Sequence, residues 1–145
     1  SLKTLANSLT QIAEGGAEAF YKGNIAKKIS RFVQEEGGWI TEQDLAEHRS
    51  DRDVPISTDY RGVTVWECPP NGQGIAALMA LNIAEGFDVA SMGSQSVDSY
   101  HHLVESMRLG YSDALQYVAD PRVTDVPING MLSKEYASIR RNLLP

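Results

Sequence analysis

The hydrophobic and polar positions of the first third of the chain predict three helices. Apolar residues stand three and four apart from Leu2 to Ile12, and the glycine pair 15–16 that follows is typical of a helix end. A second helical face runs over 25–33 and stops at the glycine pair 37–38. Thr41 and Asp44 then have the spacing of a capping box, which predicts a short helix that ends near His48.

The hydrophobic period changes to two after residue 53. Apolar and polar residues alternate over 54–60 and again over 63–67, with Arg61 and Gly62 between them, which predicts a β-hairpin. Pro55 has no N–H to donate to a neighbouring strand, so the first strand is expected to be an edge strand at that point.

The rest of the chain is predicted to be helical, apart from two loops. Prolines and glycines make 68–74 a loop, and a helix is predicted over 75–85, closed by Gly86. The longest helix is predicted over 96–118, and Ser133 is expected to cap a final helix. The expected core face of the long helix consists of Val97, Tyr100, Val104, Met107, Tyr111, Ala114 and Val118.

These elements predict an α+β fold that is mostly helical with a small β-hairpin. The chain shows no internal repeat and no long linker, so residues 1–145 are predicted to form a single unit. Because an isolated hairpin is only marginally stable in water, we expect this one to belong to a larger sheet whose other strands lie outside the sequence.

Composition and charge narrow the possible functions. Thirteen Lys and Arg residues against nineteen Asp and Glu residues argue against binding to nucleic acid. No apolar run is long enough for a membrane span, and no targeting signal assigns a compartment. The single Cys68 excludes an internal disulfide and a multi-cysteine metal site.

The candidate chemical groups do not form a recognisable catalytic set. On the long helix, Asp98 with His102, or His101 with Glu105, have the four-residue spacing of a cation-binding pair, but such pairs are also common on solvated helix faces. No third ligand is evident, and His48 stands apart from both pairs. The residues alone therefore favour the structural alternative and predict no metal site.

Cys68 and the loop after it offer two weaker candidates. Cys68 has no basic neighbour to activate it as a nucleophile. The segment Asn71-Gly72-Gln73-Gly74 joins a strand to a helix, as anion-binding loops do, but it lacks a complete nucleotide-binding motif. We favour a tight turn that lets the following helix pack closely over a nucleotide site. Contact between this loop and a substrate group other than a nucleotide remains an alternative. We assign no catalytic or cofactor-binding residue and no cofactor.

Several blocks along the chain, in order, resemble the large subunit of the gamma-glutamyltransferase family. They include the helical blocks 5–15 and 19–26, the capping segment 37–45, the hairpin turn at 60–62 and the double-proline loop at 69–70. The blocks 77–87, 101–105, 111–113, 120–121 and 132–136 follow in the same order. The resemblance covers nearly the whole sequence, which is similar to the C-terminal part of that subunit.

The resemblance implies part of an N-terminal-nucleophile hydrolase of αββα architecture, cleaved from one precursor into two subunits. In such enzymes the N-terminal threonine of the small subunit transfers a γ-glutamyl group through an acyl-enzyme to water or an acceptor. The implied partners are the remaining large-subunit segments and the small subunit, and family members are often exported. The implied nucleophile and oxyanion glycines lie beyond Pro145 and the substrate-binding arginine lies before Ser1, so this segment is expected to be structural and inactive alone.

Two alternatives to a glutathione-cleaving enzyme stay open. Asn71-Gly72-Gln73-Gly74 stands where many glutathione-cleaving members carry Ser-Ser-Gly-Gly, which makes an acylase-like relative acting on another amide plausible. The second alternative is a non-catalytic binding module that keeps the helical part of the fold.

Overall fold

The computed structural model describes residues 2–144 and forms two compact units, one up to Asp51 and the other from Arg52 onward. The sequence, with no repeat and no long linker, predicts a single unit. The division falls in the stretch 48–55, which forms neither helix nor strand and consists of exposed residues.

The first unit contains three helices, α1 (Lys3–Tyr21), α2 (Asn24–Glu35) and α3 (Glu42–Glu47). The predicted end of the first helix is a kink at Gly16, whose φ of 61° lies in the left-handed region, and the helix resumes beyond it. No residue of α1 is fully buried: Leu2, Leu5 and Leu9 of the predicted apolar face are exposed within this unit, and Ile12 is half-buried. The α2 helix buries the small residues Ala26 and Ser30.

The capping box of α3 is present as predicted. The hydroxyl of Thr41 accepts a hydrogen bond from the backbone N–H of Asp44 at 3.1 Å, and the Asp44 carboxylate accepts one from the N–H of Thr41 at 2.8 Å. The hydrogen bonds from Thr41 lower the pKa of Asp44 below its ordinary value. The helix ends at Glu47, next to the predicted position.

The second unit begins with the predicted hairpin, β1 (Ile56–Tyr60) and β2 (Val63–Glu67). The strands are antiparallel, with Thr58 opposite Val65. Arg61 and Gly62 form the turn with φ angles of 53° and 81°, as expected of a two-residue turn that matches the twist of the strands. The first strand starts after Pro55, two residues later than the alternation indicates.

The α4 helix (Gly74–Ala84) forms the centre of the second unit. It packs against the hairpin and against α5 (Val97–Tyr117) and α7 (Lys134–Arg141). Eight of its eleven residues are buried, which is typical of a helix covered on all sides. Ile75 and Met79 pack with Val126 and with Met131 of a short helix, α6 (Ile128–Met131), that the sequence analysis did not predict.

The predicted core face of the long helix is wrong at its first five positions, whereas Ala114 is half-buried and Val118 packs against the core. Val97, Tyr100, Val104, Met107 and Tyr111 are exposed, and the buried positions are Ser99, Ser106, Gly110 and Asp113. A methyl group on Gly110 would lie 2.6 Å from the carbonyl oxygen of Ala76. The backbones of α4 and α5 therefore lie so close together that small residues form their interface.

The final helix shows the same difference between apolar pattern and burial. Its predicted cap is confirmed, because the Ser133 hydroxyl accepts a hydrogen bond from the N–H of Tyr136 at 3.1 Å. Ala137 is buried and Tyr136 packs against the core, whereas Ile139 in this helix and Leu143 beyond it are exposed. No helix in residues 2–144 combines the length and hydropathy of a membrane span.

Candidate functional site

The loop at 68–74 lies between β2 and α4 and borders a cleft of about 190 Å³. The side chain of Gln73, at the start of α4, does not cap the helix. Its Oε1 atom instead accepts a hydrogen bond from the Tyr111 hydroxyl at 3.0 Å, across to α5. Asn71, Gly72, Ala114, Leu115 and Val118 complete the lining. The loop therefore offers neutral amide groups at the mouth of a small, partly apolar cleft.

The glycine at the end of this loop has a packing role. A methyl group on Gly74 would lie 2.7 Å from Glu67 Oε2 and 2.8 Å from its Cβ. A glycine therefore lets α4 begin directly beside β2. This supports the interpretation of the loop as a tight turn with close helix packing, and does not point to a nucleotide site.

A buried amide on α4 joins four parts of the second unit. Asn82 is 1% exposed, and its Oδ1 accepts hydrogen bonds from the Thr58 hydroxyl at 2.6 Å and from Lys134 Nζ at 2.7 Å. Its Nδ2 donates to the carbonyl of Leu132 at 2.9 Å. The hairpin, α4, the segment after α6 and the start of α7 are thus linked through one side chain.

Lys134 extends this network to the hairpin turn. Its Nζ also donates to Glu85 Oε2 at 2.6 Å, and Glu85 Oε1 accepts from the backbone N–H of Arg61 at 2.8 Å. The hydrogen bond from Lys134, followed by the one from Arg61, holds the pKa of Glu85 below its ordinary value of 4.5. The four partners of the Asn82 and Glu85 side chains, Thr58, Leu132, Lys134 and Arg61, tie α4 to the hairpin and to the segment that leads into α7.

A second buried polar group links α5 to α7. Asp113 Oδ2 accepts a hydrogen bond from the Tyr136 hydroxyl at 3.1 Å. Arg140 Nε lies 2.9 Å from the same oxygen but off the direction of a hydrogen bond, so this contact is an ion pair. Burial, and then the bond to Asp113, raise the pKa of Tyr136.

Neither network was identified from the sequence. Their members are separated by 23 to 52 positions, so no local spacing connects them. A polar Asn82 within the otherwise apolar helix 75–84 was the one available signal, because a buried amide requires partners.

The histidines and Cys68 take no part in the hydrogen-bond networks around Asn82 and Asp113. The ring of His48 stacks on Tyr21 with centroids 4.8 Å apart. His102 Nδ1 is 2.8 Å from the backbone carbonyl of Asp98, not its carboxylate, and its ring meets the Phe87 ring edge-on. Cys68 is exposed and free. Within residues 2–144, no three His, Cys, Asp or Glu side chains group as metal ligands would.

Comparison with known proteins places the chain in a family. The sequence profile of gamma-glutamyltranspeptidase matches residues 1–145. The glutathione hydrolase-like YwrD proenzyme of Bacillus subtilis is 40% identical over 135 residues, which are 93% of this chain and 26% of that protein. The chain therefore spans about a quarter of the length of this relative.

Two solved structures have the same fold over nearly the whole chain. The cephalosporin acylase of Bacillus halodurans is 44% identical with a TM-score of 0.77, over 97% of this chain and 26% of that one. The Helicobacter pylori gamma-glutamyltranspeptidase is 30% identical with a TM-score of 0.79, over 99% of this chain and 41% of that one. This chain belongs to the gamma-glutamyltranspeptidase family and corresponds to the C-terminal part of the large subunit.

Proposed function

We propose that this chain is a structural segment of an enzyme that transfers or hydrolyses a γ-glutamyl or similar acyl group through an acyl-enzyme. The observation that carries the proposal is the match of the family profile to all of residues 1–145. In this proposal the nucleophilic threonine belongs to the small subunit of the same precursor. The partners of this segment are then the small subunit and the other large-subunit segments.

The buried polar groups support a structural role. Asn82 and Asp113 use their side chains to join the hairpin, α4, α5 and α7 to one another. Groups that act on a substrate must be accessible to it, whereas these two are only 1% and 6% exposed. Their removal would disturb the position of the elements they join.

The loop at 71–74 favours an acylase-like substrate preference as a second candidate. Asn71 and Gln73 place amides at the cleft where many glutathione-cleaving relatives carry serine and glycine, and Tyr111 holds Gln73 in place. The cephalosporin acylase of Bacillus halodurans is 44% identical to this chain. We therefore include amides other than glutathione among the proposed substrates.

A chimera tests the proposal. Residues 2–144 replace the matched segment of the Bacillus halodurans cephalosporin acylase, and the chain 1–145 alone serves as the control. We expect the chimera to hydrolyse its acyl substrate and the chain alone to release no product from a γ-glutamyl anilide above buffer. The ratio of the chimera's rates on a cephalosporin amide and on the anilide distinguishes the two substrate classes.

Two results would contradict the proposal. The first is turnover by the chain alone that survives repurification, since that would place a nucleophile within residues 1–145. The second is a chimera that folds with a cooperative melt and has no activity on either substrate. In that case the segment fits the fold without supporting the chemistry, as a binding module would.

A further inference from the structure

The segment 48–55 joins α3 to β1, and the division between the two units falls within it. We call this segment the junction. All of its residues are exposed, and residues 49–55 make no backbone–backbone hydrogen bond to any part of residues 2–144. A backbone of this kind enters the cleft of a protease without prior local unfolding. Exposed segments without such bonds are therefore the preferred positions for proteolytic nicking.

Two arginines of the junction determine which class of protease fits it. The guanidinium of Arg49 donates hydrogen bonds to the backbone carbonyls of Ala46 and His48, at 3.3 Å and 2.8 Å. Among the described residues, no carboxylate pairs with Arg49 or Arg52. Trypsin-like proteases bind a cationic side chain in a specificity pocket that carries a carboxylate. The peptide bonds after Arg49 and Arg52 therefore match this class of enzyme.

The other basic residues outside helices and strands are held by the fold. In the part of the chain that the structure describes, these are Lys22, Arg61 and Arg122. Lys22 is the C-cap residue of α1, and its backbone N–H bonds back into that helix. Arg61 lies in the two-residue hairpin turn and donates to the carbonyl of Phe87 at 2.8 Å. Arg122 donates to both carboxylate oxygens of Asp120. Cleavage at these three positions requires local opening first.

We propose that the junction is a site of limited proteolysis, at which a trypsin-like protease cleaves the bond after Arg49 or Arg52. Water adds across the peptide bond, which leaves a carboxylate on the arginine and an amine on Ser50 or Asp53. Neither bond precedes a threonine, so this cleavage differs from one that creates a subunit with an N-terminal threonine. The inference does not depend on the proposed function.

The two pieces that this cleavage releases are expected to differ in stability. The apolar core, from Ile75 to Met131, lies wholly after the junction, and so do both buried polar networks. Among residues 2–51, only Ala26 and Ser30 are buried. Because burial of apolar surface is the main stabilising contribution to a fold, the second piece should stay folded. The first piece should unfold and be digested further.

Limited digestion of the chain 1–145 with trypsin tests the site, and intact-mass measurement over time identifies the products. We expect the first cut after Arg49 or Arg52. A fragment that begins at Ser50 or Asp53 should then accumulate, while peptides from the first unit become shorter. The accumulated fragment should retain a cooperative thermal melt, because it contains the apolar core.

Paired substitutions test whether the two arginines direct the cut. Arg49→Gln combined with Arg52→Gln should slow the loss of the intact chain at least about tenfold, since the remaining sites must open before they are cleaved. Lys27→Gln combined with Lys28→Gln is the matched control. It makes the same change of charge and removes two exposed basic residues within α2. This control should be lost as fast as the unmodified chain.

Three results would overturn the proposal. The first is an initial cut after Lys22, Arg61 or Arg122, or inside a helix. The second is a double arginine variant that is lost as fast as the unmodified chain. The third is a second-unit fragment that is digested as rapidly as the first unit. The position of the first cut is measured in the unmodified chain, so it decides the question even where a variant is destabilised.

Discussion

At the scale of single residues, the second unit is organised by a few polar side chains in apolar surroundings. Lys134 bonds to the hairpin backbone at Asp59, to the amide of Asn82 and to the carboxylate of Glu85. Asn82 is buried, and a buried polar group without a partner costs about 1–3 kcal/mol, so the bond from Lys134 to Asn82 avoids a penalty as well as adding a contact. The network thereby fixes where the hairpin sits on α4.

Glu85 should make the stability of the chain sensitive to acid. Its pKa is lowered in the folded state, so its contribution is present above 4.5, its ordinary value, and is lost as the pH falls through the lower folded value. We expect the unfolding free energy of Glu85→Gln to decline less between pH 6 and pH 3 than that of the unmodified chain. Urea unfolding at each pH measures the difference.

An exposed loop carboxylate provides the control for this prediction. Asp125→Asn, which also removes one exposed carboxylate charge, is the matched control for the loss of charge in Glu85→Gln. Hydrogen bonds from Arg122 lower the pKa of Asp120 to about 2. Asp120 is present in the unmodified chain and in both variants, so its contribution cancels when their acid profiles are compared. An acid profile of Glu85→Gln parallel to that of the unmodified chain would contradict the assignment.

At the scale of elements, local chemistry predicts the boundaries but not the buried faces. The capping residues Thr41 and Ser133 and the turn at 61–62 act within a few residues, and the structure confirms each of them. The buried face of α5 depends on how near α4 approaches, which Gly110 and Ser106 permit. Apolar periodicity instead identified a face of α5 whose residues from Val97 to Tyr111 are exposed in this unit. The candidate site was less predictable, because Tyr111 and Gln73 meet only in three dimensions.

The two helices α4 and α5 should respond differently to truncation of an apolar side chain. Val104→Ala removes methyl groups that are already half exposed, so it should cost less than about 0.5 kcal/mol of unfolding free energy in the isolated chain. Leu78→Ala should cost about 2–5 kcal/mol, because Leu78 is fully buried in α4 and the change leaves a cavity. Urea denaturation of both variants measures the two values. If Val104→Ala lowered the unfolding free energy as much as Leu78→Ala, Val104 would be a buried core residue, as the apolar periodicity predicts.

At the scale of the whole molecule, the open surfaces belong to both units. In the first unit, Leu2, Leu5, Leu9 and Trp39 are exposed. In the second, the two strands pair only with each other within residues 2–144, so each has one open edge. Val63 and Trp66 are exposed on the same hairpin. Exposed apolar side chains beside an open strand edge are typical of surfaces that other segments cover.

The isolated chain is therefore expected to self-associate as its concentration rises. Sedimentation velocity over a concentration series should show the average mass increasing above that of the 15.9 kDa monomer. Trp66→Lys should reduce this association, because a charge on an edge strand opposes pairing with another chain. Trp39→Lys, an exposed tryptophan outside the hairpin, is the matched control and should reduce it less if the hairpin is the main contact. A chain that stays monomeric at high concentration and melts cooperatively would contradict the larger-sheet hypothesis, because its hairpin would then need no further strand to be stable.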